Sequence, residues 1–484
     1  MSTPYLRLGA LTKFFTHSRY LITLRAGKQK YHSILLFRLA GSSHDTKTQL
    51  ESAASKVRAV EELQMYAMEA QCPHLGADLS HAEIEEYEDG EFWRWPFTKV
   101  VTVCPWHRYN FNLKTGRSDT GLRACVYGLQ IREEPLGEGP ELWVESPSNE
   151  EYEVVELRPV SEAFADINNI GRDPPIIQNP ESTSSKIEEP VVPTPAPTTL
   201  LEWAVLILNT PDAVLKVQRT RHAVELFRTG GIKSIGRHGK APTPPTVPPR
   251  DAGMMLVDPT KVAKRGKGGS LRSRITMLHA LANIEQWAID LAWDIIARFG
   301  NDKSIPSGYY IDFTRMALDE AKHFTLLSNR LSQLGTQYGS LPIHSSLWQS
   351  ALNTSDSLLA RLAIIHLVHE ARGLDVNPAT IAKFEKAGDT ESVALLEVIH
   401  LDEITHVTTG HRWFTWKCDA EGQLDPVSTF RSLVRERFQG PLKGPFNIED
   451  RRKAGLGQEF YEDLVGGEGA AVSVGYEESG TGRE

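Results

Sequence analysis

The second half of the chain contains four helical stretches in which acidic side chains fall on the face that should be apolar. Hydrophobic residues recur three or four positions apart from about Leu271 to Trp416, which is the spacing of one helix face. Six polar residues share these apolar faces: Glu285 in the first stretch, Glu320 and His323 in the second, Glu370 in the third, and Glu403 and His406 in the fourth. A buried ionised carboxylate is very costly unless it is neutralised or meets a cation. Because Lys and Arg are scarce on these faces, two divalent metal ions are the counter-charge that would balance four glutamates.

An internal repeat relates the two halves of this helical region. Glu285–Asp290 (EQWAID) matches Glu370–Asp375 (EARGLD), and Leu318–His323 (LDEAKH) matches Leu401–His406 (LDEITH). One Glu-x-x-His pair is weak evidence, because such pairs are common by chance. Two pairs in register with two further glutamates form the ligand set of carboxylate-bridged dinuclear sites in four-helix bundles. The pattern therefore predicts a dinuclear metal site to which each half of the repeat contributes.

The first half of the chain carries two short cysteine–histidine motifs, Cys72-Pro-His74 and Cys104-Pro-Trp-His107. Such a set is suited to zinc, or to a [2Fe–2S] cluster in which two histidines replace two cysteines on one iron. The chain has only 4 cysteines, and so few indicate a reducing compartment, where clustered Cys and His bind metal more often than they form disulfides. Cys125 lies in a predicted strand, where we expect an inert buried thiol.

The chain divides into segments of different composition. Short β-like runs separated by turn residues occupy residues 20–160 and predict a small all-β domain. Residues 173–198 are rich in Pro, Ser, Thr and Glu and predict a disordered linker. Helical periodicity predicts an all-α four-helix bundle within residues 200–465, and the Gly- and Glu-rich residues 466–484 are expected to be a disordered tail. We therefore expect a multidomain protein with a small β domain followed by a helical one.

The cysteine–histidine motifs and their surroundings resemble the Rieske [2Fe–2S] domain over about residues 20–157. A proline follows each cysteine, and the segments that accompany the motifs are Leu75-Gly76, Phe111 and Leu113–Gly116. The resemblance implies that Cys72 and Cys104 bind the inner iron of the cluster and that His74 and His107 bind the exposed iron.

Two departures from the Rieske pattern affect the surroundings of the cluster. An acidic and aromatic excursion, Glu83–Trp95, separates the motifs and is expected to form a surface hairpin. The second cysteine pair of the respiratory-complex type is missing, and Tyr109 stands where that type has a serine that donates a hydrogen bond to the cluster. Fewer donors to the sulfurs imply a lower reduction potential, as in a soluble ferredoxin-like Rieske domain.

The helical half resembles the ferritin-like superfamily, whose second and fourth helices carry D/E-E-x-x-H. Residues 200–465 are more closely similar to the ferritin-like domain-of-unknown-function family 455. The segments that carry this likeness are Leu208–Asp212, the proline-rich stretch to Arg250, His279–Asp294, His369–Asp375 and Pro445–Asn447.

The superfamily pattern implies roles for the six inward-facing residues. Glu320 and Glu403 would bridge the two metals as the catalytic glutamates, Glu285 and Glu370 would be terminal ligands, and His323 and His406 would bind one metal each. Asp319 and Asp402 either orient the imidazoles or are exposed helix charges. His366, one turn before Glu370, is either a group that supports a metal ligand or a core histidine with satisfied hydrogen bonds, and we favour the core histidine.

Together the two sites favour an O2-dependent oxidoreductase, a hydroxylase or other oxygenase acting on a small molecule. A di-iron site that activates O2 needs two electrons per turnover, and a Rieske cluster carries one electron at a time. A flexible tether between the two would raise the effective concentration of the electron donor. The chain has no glycine-rich nucleotide fingerprint after a strand, so we expect a separate NAD(P)H-dependent reductase. Manganese in place of iron would indicate peroxide chemistry instead.

Three other interpretations stay open at this stage. A ferroxidase or other iron-handling protein would explain the bundle but not the attached electron carrier. A Rieske-type mononuclear iron oxygenase would use Glu403, His406 and His411, and would leave the repeat without a purpose. A non-enzymatic redox protein would need a degenerate helical half, although all six candidate ligands are present.

Charge and hydropathy bear on partners and location. The net charge of -9 argues against nucleic-acid binding by the whole surface, so we favour a solvated loop over a tRNA contact for the basic residues between Lys261 and Arg274. No apolar run approaches 18 residues, and no membrane association is expected. We expect a cytoplasmic protein, with a mitochondrial presequence in the acid-free residues 1–44 as the alternative. The electron transfer is expected within one chain or across a homodimer.

Overall fold

The structure is a computed structural model that describes residues 4–27, 30–39, 63–88, 98–133, 139–160, 189–237, 242–258, 266, 268–438, 441–442 and 444–464. It divides into two compact units, one formed by residues 1–190 with 228–231 and the other by residues 191–227 with 232–484. The first unit is built from β-strands and the second from helices, which confirms the predicted order of a β domain followed by a helical one.

The described part of the β unit consists of eleven strands and one short 3-10 helix, Leu11–Phe15. The strands are β1 (Tyr5–Ala10), β2 (Arg19–Ala26), β3 (Lys30–Arg38), β4 (Met65–Glu69), β5 (Glu83–Glu88), β6 (Thr98–Val103), β7 (Asn110–Asn112), β8 (Val126–Tyr127), β9 (Leu129–Glu133), β10 (Pro140–Glu145) and β11 (Tyr152–Pro159).

These strands form three antiparallel sheets with the orders β1-β10-β9, β11-β2-β3-β4-β8 and β5-β6-β7. A hydrophobic core joins the first two sheets and includes Phe14, Ile22, Ile34, Leu36 and Leu142, all fully buried. Because β1 pairs with β10 and contributes to this core, the β unit extends to residues before position 20. Residues 5–26, part of the candidate presequence, are therefore strand and helix of a folded sheet system.

The predicted surface hairpin between the two cysteine–histidine motifs begins as expected. β5 and β6 pair in antiparallel register from Glu83 opposite Val103 to Glu88 opposite Thr98. The tip of the excursion, residues 89–97, lies outside the described residues. The hairpin ends at Val103, and the second motif begins at the next residue.

The described part of the helical unit contains eleven α-helices and one π-helix, Ile364–His369. The α-helices are α1 (Leu200–Leu208), α2 (Ala213–Thr229), α3 (Leu271–Phe299), α4 (Ser307–Gln333), α5 (Ser346–Leu352), α6 (Leu358–Ala363), α7 (Glu370–Lys386), α8 (Thr390–Ala420), α9 (Pro426–Arg437), α10 (Ile448–Lys453) and α11 (Gln458–Tyr461).

Local sequence signals set the starts of the long helices. The side chains of Ser270, Ser357 and Asp389 accept hydrogen bonds from backbone N–H groups three residues later, at the starts of α3, α6 and α8. These are N-cap residues, which satisfy donors that have no partner within the helix. Gly300 follows the last residue of α3, where a glycine commonly ends a helix.

Four long helical segments pack into a bundle. α3 lies along α4, the segment made of α6, the π-helix and α7 lies along α8, and α8 also contacts α4. The two pairs are the two halves of the internal repeat. Their shared interior is lined by apolar side chains such as Ile289, Phe313, Leu362 and Phe414, all fully buried. The stripes predicted from periodicity therefore face one another.

Two predicted disordered segments fall largely outside the described residues. Residues 189–198 of the predicted linker form neither helix nor strand, and residues 173–188 are not described. The predicted tail, residues 466–484, also lies outside the described residues. Within the described part of the chain, none of the helices combines the length and apolar character needed to cross a bilayer.

Candidate metal centres

Two loops of matching shape present the cysteine–histidine motifs. Cys72 comes shortly after β4, and Cys104 comes directly after β6. In each loop the residue four places after the cysteine donates its N–H to the cysteine carbonyl, Gly76 at 2.8 Å and Arg108 at 2.9 Å. Both residues have left-handed backbone, with φ of 73° and 59°. The two loops therefore turn back on themselves in the same way and hold their cysteines at equivalent positions.

The four side chains of the motifs meet with the sulfurs inside and the imidazoles towards the surface. Cys72 and Cys104 are buried, His74 is half-buried and His107 is exposed. The two imidazole rings are 4.7 Å apart between centroids. The two thiols are hydrogen-bond partners, and this contact raises the pKa of Cys72 and lowers that of Cys104.

The donor set of the two loops fits a cluster with two sulfur and two nitrogen ligands. Backbone N–H groups of His74 and Leu75 donate to the sulfur of Cys72, and those of Trp106 and His107 donate to the sulfur of Cys104. Donors of this kind stabilise negative charge on sulfur. Nδ1 of His74 is buried and makes no hydrogen bond, so this nitrogen is available to a metal.

Two other residues with expectations from the sequence, Tyr109 and Cys125, lie near the loops. The ring of Tyr109 lies 4.8 Å from the His74 ring and 6.0 Å from the His107 ring, so it contacts the imidazoles. The expectation that Cys125 is a buried strand thiol is wrong, because β8 begins one residue later and Cys125 is exposed. Its N–H donates to the carboxylate of Glu69 at 2.8 Å.

The helical bundle brings the inward-facing carboxylates and imidazoles together in two overlapping groups. Glu285, Glu320 and His323 form one group, and Glu320, Glu370 and His406 form the other, with the ligand atoms of each group within 4.8 Å of one another. Glu320 belongs to both groups. The five residues come from α3, α4, α7 and α8, so each of the four long segments of the bundle supplies at least one of them.

The interatomic distances are those expected for ligands that share a metal ion. Nδ1 of His323 lies 3.5 Å from Glu285 Oε2 and 3.4 Å from Glu320 Oε2. Nδ1 of His406 lies 3.0 Å from Glu320 Oε1 and 3.8 Å from Glu403 Oε2. Two donor atoms each about 2.1 Å from one ion are about 3 to 4 Å apart. Glu403 is thus beside the second group, although it belongs to neither of the two tight groups.

Helix α7 has a glycine where Glu403 approaches it. A Cβ atom on Gly373 would lie 3.4 Å from the carboxylate carbon of Glu403. Glycine inside a helix is unfavourable without a reason of this kind. The position lies one turn after Glu370 and leaves room for the Glu403 side chain.

Burial and mutual repulsion give these carboxyl groups unusual titration behaviour. Burial, followed by the charges of neighbouring glutamates, raises the pKa of Glu285, Glu370 and Glu403. Burial also opposes ionisation of Glu320, but the imidazoles of His406 and His323 outweigh it and hold the pKa of Glu320 below its usual range. The four glutamates can therefore all be ionised together only if further positive charge enters the site.

Several atoms of the site make no hydrogen bond although they are buried. They are both carboxylate oxygens of Glu320, Oε2 of Glu403, Nδ1 of His323, and both ring nitrogens of His406. Buried polar atoms are nearly always hydrogen-bonded, so a group of exceptions concentrated among carboxylates and imidazoles is the pattern expected of a site for bound ions. Four carboxylates and two imidazoles of this kind fit two divalent transition-metal ions.

The other buried acids of the helical unit are neutralised by basic side chains. Asp290 pairs with Lys216 at 2.5 Å and with Arg250 at 2.7 Å, and Asp375 pairs with Arg451 at 2.7 Å. By contrast, among the described residues no Lys or Arg forms an ion pair with any of the four glutamates. The two repeat aspartates are therefore structural, and the glutamates are the unneutralised group.

An aspartate of the opposite helix lies beside each of the two imidazoles, and one of these aspartates makes a hydrogen bond. Nε2 of His323 on α4 hydrogen-bonds to Asp402 on α8 at 2.9 Å, and Nε2 of His406 on α8 lies 3.6 Å from Asp319 on α4. Lys322 pairs with both aspartates, at 3.1 Å to Asp319 and 2.6 Å to Asp402. For Asp402 the geometry supports the interpretation in which the aspartate orients the imidazole, whereas Asp319 lies beyond hydrogen-bond distance of His406.

The mononuclear alternative is not supported by the positions of its residues. Among the described residues, His411 does not join Glu403 and His406 in a group of ligand distance. Its ring instead lies 5.5 Å from the ring of Phe460. The basic cluster considered for tRNA contact falls mostly outside the described residues, because residues 261–265 and 267 are not described.

Comparison with known families agrees with both halves of this description. The model of the Rieske [2Fe-2S] domain matches residues 41–124, which include both cysteine–histidine loops. The model of a family described as "Protein of unknown function (DUF455)" matches residues 209–462, which include the whole bundle. An "Uncharacterized protein" of Haemophilus influenzae is 35% identical over 208 residues, which are 42% of this chain and 72% of the relative.

A Rieske domain carries a [2Fe–2S] cluster and transfers electrons, so the first half of the chain has an iron–sulfur redox role. The second match covers more than half of the chain and defines its family. The chain is thus a member of the DUF455 family of proteins of unknown function, with a Rieske [2Fe–2S] domain preceding the family region.

Proposed function

We propose that this protein is an O2-dependent oxidoreductase, a hydroxylase or other oxygenase acting on a small molecule. In this proposal Cys72, His74, Cys104 and His107 bind the [2Fe–2S] cluster. The bundle binds two iron ions, which supply the redox chemistry for O2 activation. The observation that carries the proposal is a cluster of buried carboxylates without basic partners, in a chain that also contains an electron-transfer domain.

Distances within the bundle support the proposed ligand roles. Glu320 belongs to both groups and would contact both ions, while Glu285 with His323 and Glu370 with His406 would each hold one ion. Glu403, whose carboxylate lies 3.8 Å from His406 Nδ1, would join the ligands of the second ion. The superfamily pattern implies a bridging role for both Glu320 and Glu403.

The protein surroundings of the site support redox chemistry in three ways. Asp402 accepts a hydrogen bond from Nε2 of His323, which keeps the proton on that nitrogen and leaves Nδ1 free for a metal. The ligand side chains are almost completely buried, so bulk water is kept away from them. The exposed imidazole of His107 is the edge of the Rieske site through which electrons enter or leave. A separate NAD(P)H-dependent reductase is proposed to supply those electrons.

The proposal is tested by internal electron transfer in the full-length protein. The Rieske cluster is reduced without O2, air is admitted, and its reoxidation is followed by visible absorbance. We expect reoxidation in the wild-type protein to be faster than in Glu320→Ala. Equal rates in the two proteins would show that the bundle does not accept electrons from the cluster.

Metal content separates this function from the alternatives. About four irons per chain are expected if both sites are filled, two from the cluster and two from the bundle. About two irons per chain, all in the Rieske cluster, would favour a non-enzymatic redox protein. Manganese in the bundle would favour peroxide chemistry over O2 activation. An iron-handling role leaves the attached electron-transfer domain without a purpose.

A further inference from the structure

A buried histidine next to the bundle site has no hydrogen-bond partner. His366 is 0% exposed, and neither Nδ1 nor Nε2 makes a hydrogen bond. Its ring packs edge-to-face on Phe313 at 5.0 Å. The sequence led us to expect a core histidine with satisfied hydrogen bonds, and that expectation is wrong. Leaving two polar atoms of one side chain unpaired is costly, so a ligand is the simplest partner for them.

His366 lies beside the second group through Glu370, although it belongs to neither of the two tight groups. Its Nδ1 lies 3.9 Å from Glu370 Oε1, which is too far for a hydrogen bond. This distance is close to the 3.8 Å between His406 Nδ1 and Glu403 Oε2 in the same site. Such spacings are suited to two atoms that bind one ion from different directions.

The backbone that carries His366 is also unusual. His366 lies in the π-helix Ile364–His369, and this π-helix ends directly before Glu370. π-helical turns are rare and are frequent at functional sites, because the extra residue shifts the direction of the side chains that follow. On the other side, Gly410 of α8 packs so closely that a Cβ atom there would lie 2.1 Å from the His366 carbonyl oxygen. The π-turn is therefore held in place by the neighbouring helix.

The internal repeat shows that this histidine belongs to one half of the site only. Glu370 corresponds to Glu285, and the residue four places before Glu285 is Leu281. The half that carries Glu285 thus has leucine where the other half has histidine. An inherited symmetric site would have no such difference.

We propose that His366 is a further nitrogen ligand of the metal ion bound by Glu370 and His406. The two metal positions then differ, with one imidazole at the His323 end and two at the His406 end. This inference rests on the proposed function, because it assumes that the bundle binds two metal ions. It adds a seventh ligand and an asymmetry that the internal repeat alone does not contain.

The test uses the full-length protein with an intact, oxidised Rieske cluster and compares wild type with His366→Leu. Fe²⁺ binding to the bundle is measured by anaerobic dialysis, and nitrogen couplings are measured by pulsed EPR of the mixed-valence form. We expect one of the two binding events to weaken at least about tenfold and one class of imidazole coupling to disappear. His369→Gln is the matched control, since His369 lies in the same π-helix and hydrogen-bonds to Ser350 Oγ at 2.9 Å. This control is expected to keep both affinities and all couplings.

The outcomes distinguish this inference from the proposed function. Unchanged nitrogen couplings in a His366→Leu protein that still binds two ions would overturn only the ligand role of His366. A wild-type protein that takes up no metal beyond the Rieske cluster would overturn both proposals. Leucine also replaces two unpaired polar atoms by apolar ones, so the variant is expected to fold and to show a higher thermal midpoint without bundle metal. If the leucine variant does not fold, His366→Gln is measured in its place, with the same expected loss of coupling.

Discussion

Loading the bundle with metal is predicted to release protons, and the number released follows from the groups in the site. Without metal, burial and mutual repulsion raise the pKa of the three carboxyl groups of Glu285, Glu370 and Glu403. The pKa of His323 and His406 is also raised, because the hydrogen bond to Asp402 at His323 and the negative charge of Glu320 beside His406 outweigh the effect of burial. Five groups therefore keep their protons to a higher pH than usual, and all five must lose them to bind metal.

The expected magnitude is a release of about two to five protons as the bundle fills near pH 6.5. Each proton released makes the apparent affinity rise about tenfold per pH unit, so a rise of at least about a hundredfold per unit is expected. The stability of the metal-free protein has the opposite pH dependence, because it falls as the pH rises. Groups with raised pKa values stabilise the fold below their unfolded pKa, and this stabilisation is lost as pH rises through the folded pKa. The metal-free bundle should therefore be more stable at pH 6 than at pH 8.

The assay is isothermal titration calorimetry of Mn²⁺ into full-length protein that contains the Rieske cluster but no bundle metal. Titrations in two buffers with different ionisation enthalpies give the number of protons from the difference in heat. Glu285→Gln is the comparison variant, because it has the same size but cannot carry or release the proton, and it should release about one proton fewer. Equal heats in the two buffers would refute the reasoning, since they would mean that the carboxyl groups and imidazoles do not bind the ion.

Three further changes have clear expected results. Gly410→Ala should lower the free energy of unfolding in urea by about 1–3 kcal/mol, because the new Cβ would overlap the His366 carbonyl oxygen. An unchanged urea midpoint would contradict the close packing of α8 on the π-helix. Lys322→Met should leave the thermal midpoint nearly unchanged, because this lysine side chain is 42% exposed. It should weaken metal binding to the bundle about 10-fold, because Lys322 holds Asp319 and Asp402 in place. Equal metal affinities of the variant and the wild type in equilibrium dialysis would contradict that role. Arg361→Met should lower the free energy of unfolding by about 3–5 kcal/mol, because it removes a fully buried ion-pair partner of Asp294. The double variant Arg361→Met/Asp294→Asn should recover part of that loss in the same unfolding assay.

The candidate metal ligands and the helix faces that carry them could be predicted because they depend on short-range patterns. The 3.6-residue period places Glu320 and His323 on one face whatever that face packs against. The cysteine–histidine motifs are equally local, since each loop closes on itself through hydrogen bonds within five residues. The internal repeat then indicated that the two halves would meet in one site, as the bundle shows.

Other features depended on residues that are distant in the sequence. The partners of Asp290 are Lys216 and Arg250, which precede α3 by many residues, and the partner of Asp375 is Arg451 near the other end of the helical unit. A repeat shows that an aspartate recurs, but not whether a metal or an arginine neutralises it. The only sequence signals for the close helix contacts were glycines inside helices, at positions 373 and 410.

By itself, the sequence determined the order of a β domain and a helical bundle, the two sets of candidate metal ligands, and the inward direction of the acidic side chains. Periodicity and local turns are enough for this, because they depend on the geometry of one helix or one loop. The tertiary structure alone decided that Glu320 is shared by two groups, that each imidazole meets an aspartate of the opposite helix, and that His366 is buried without a partner. These facts depend on which side chains of separate helices come within a few ångströms, and such distances are set by packing across the whole bundle.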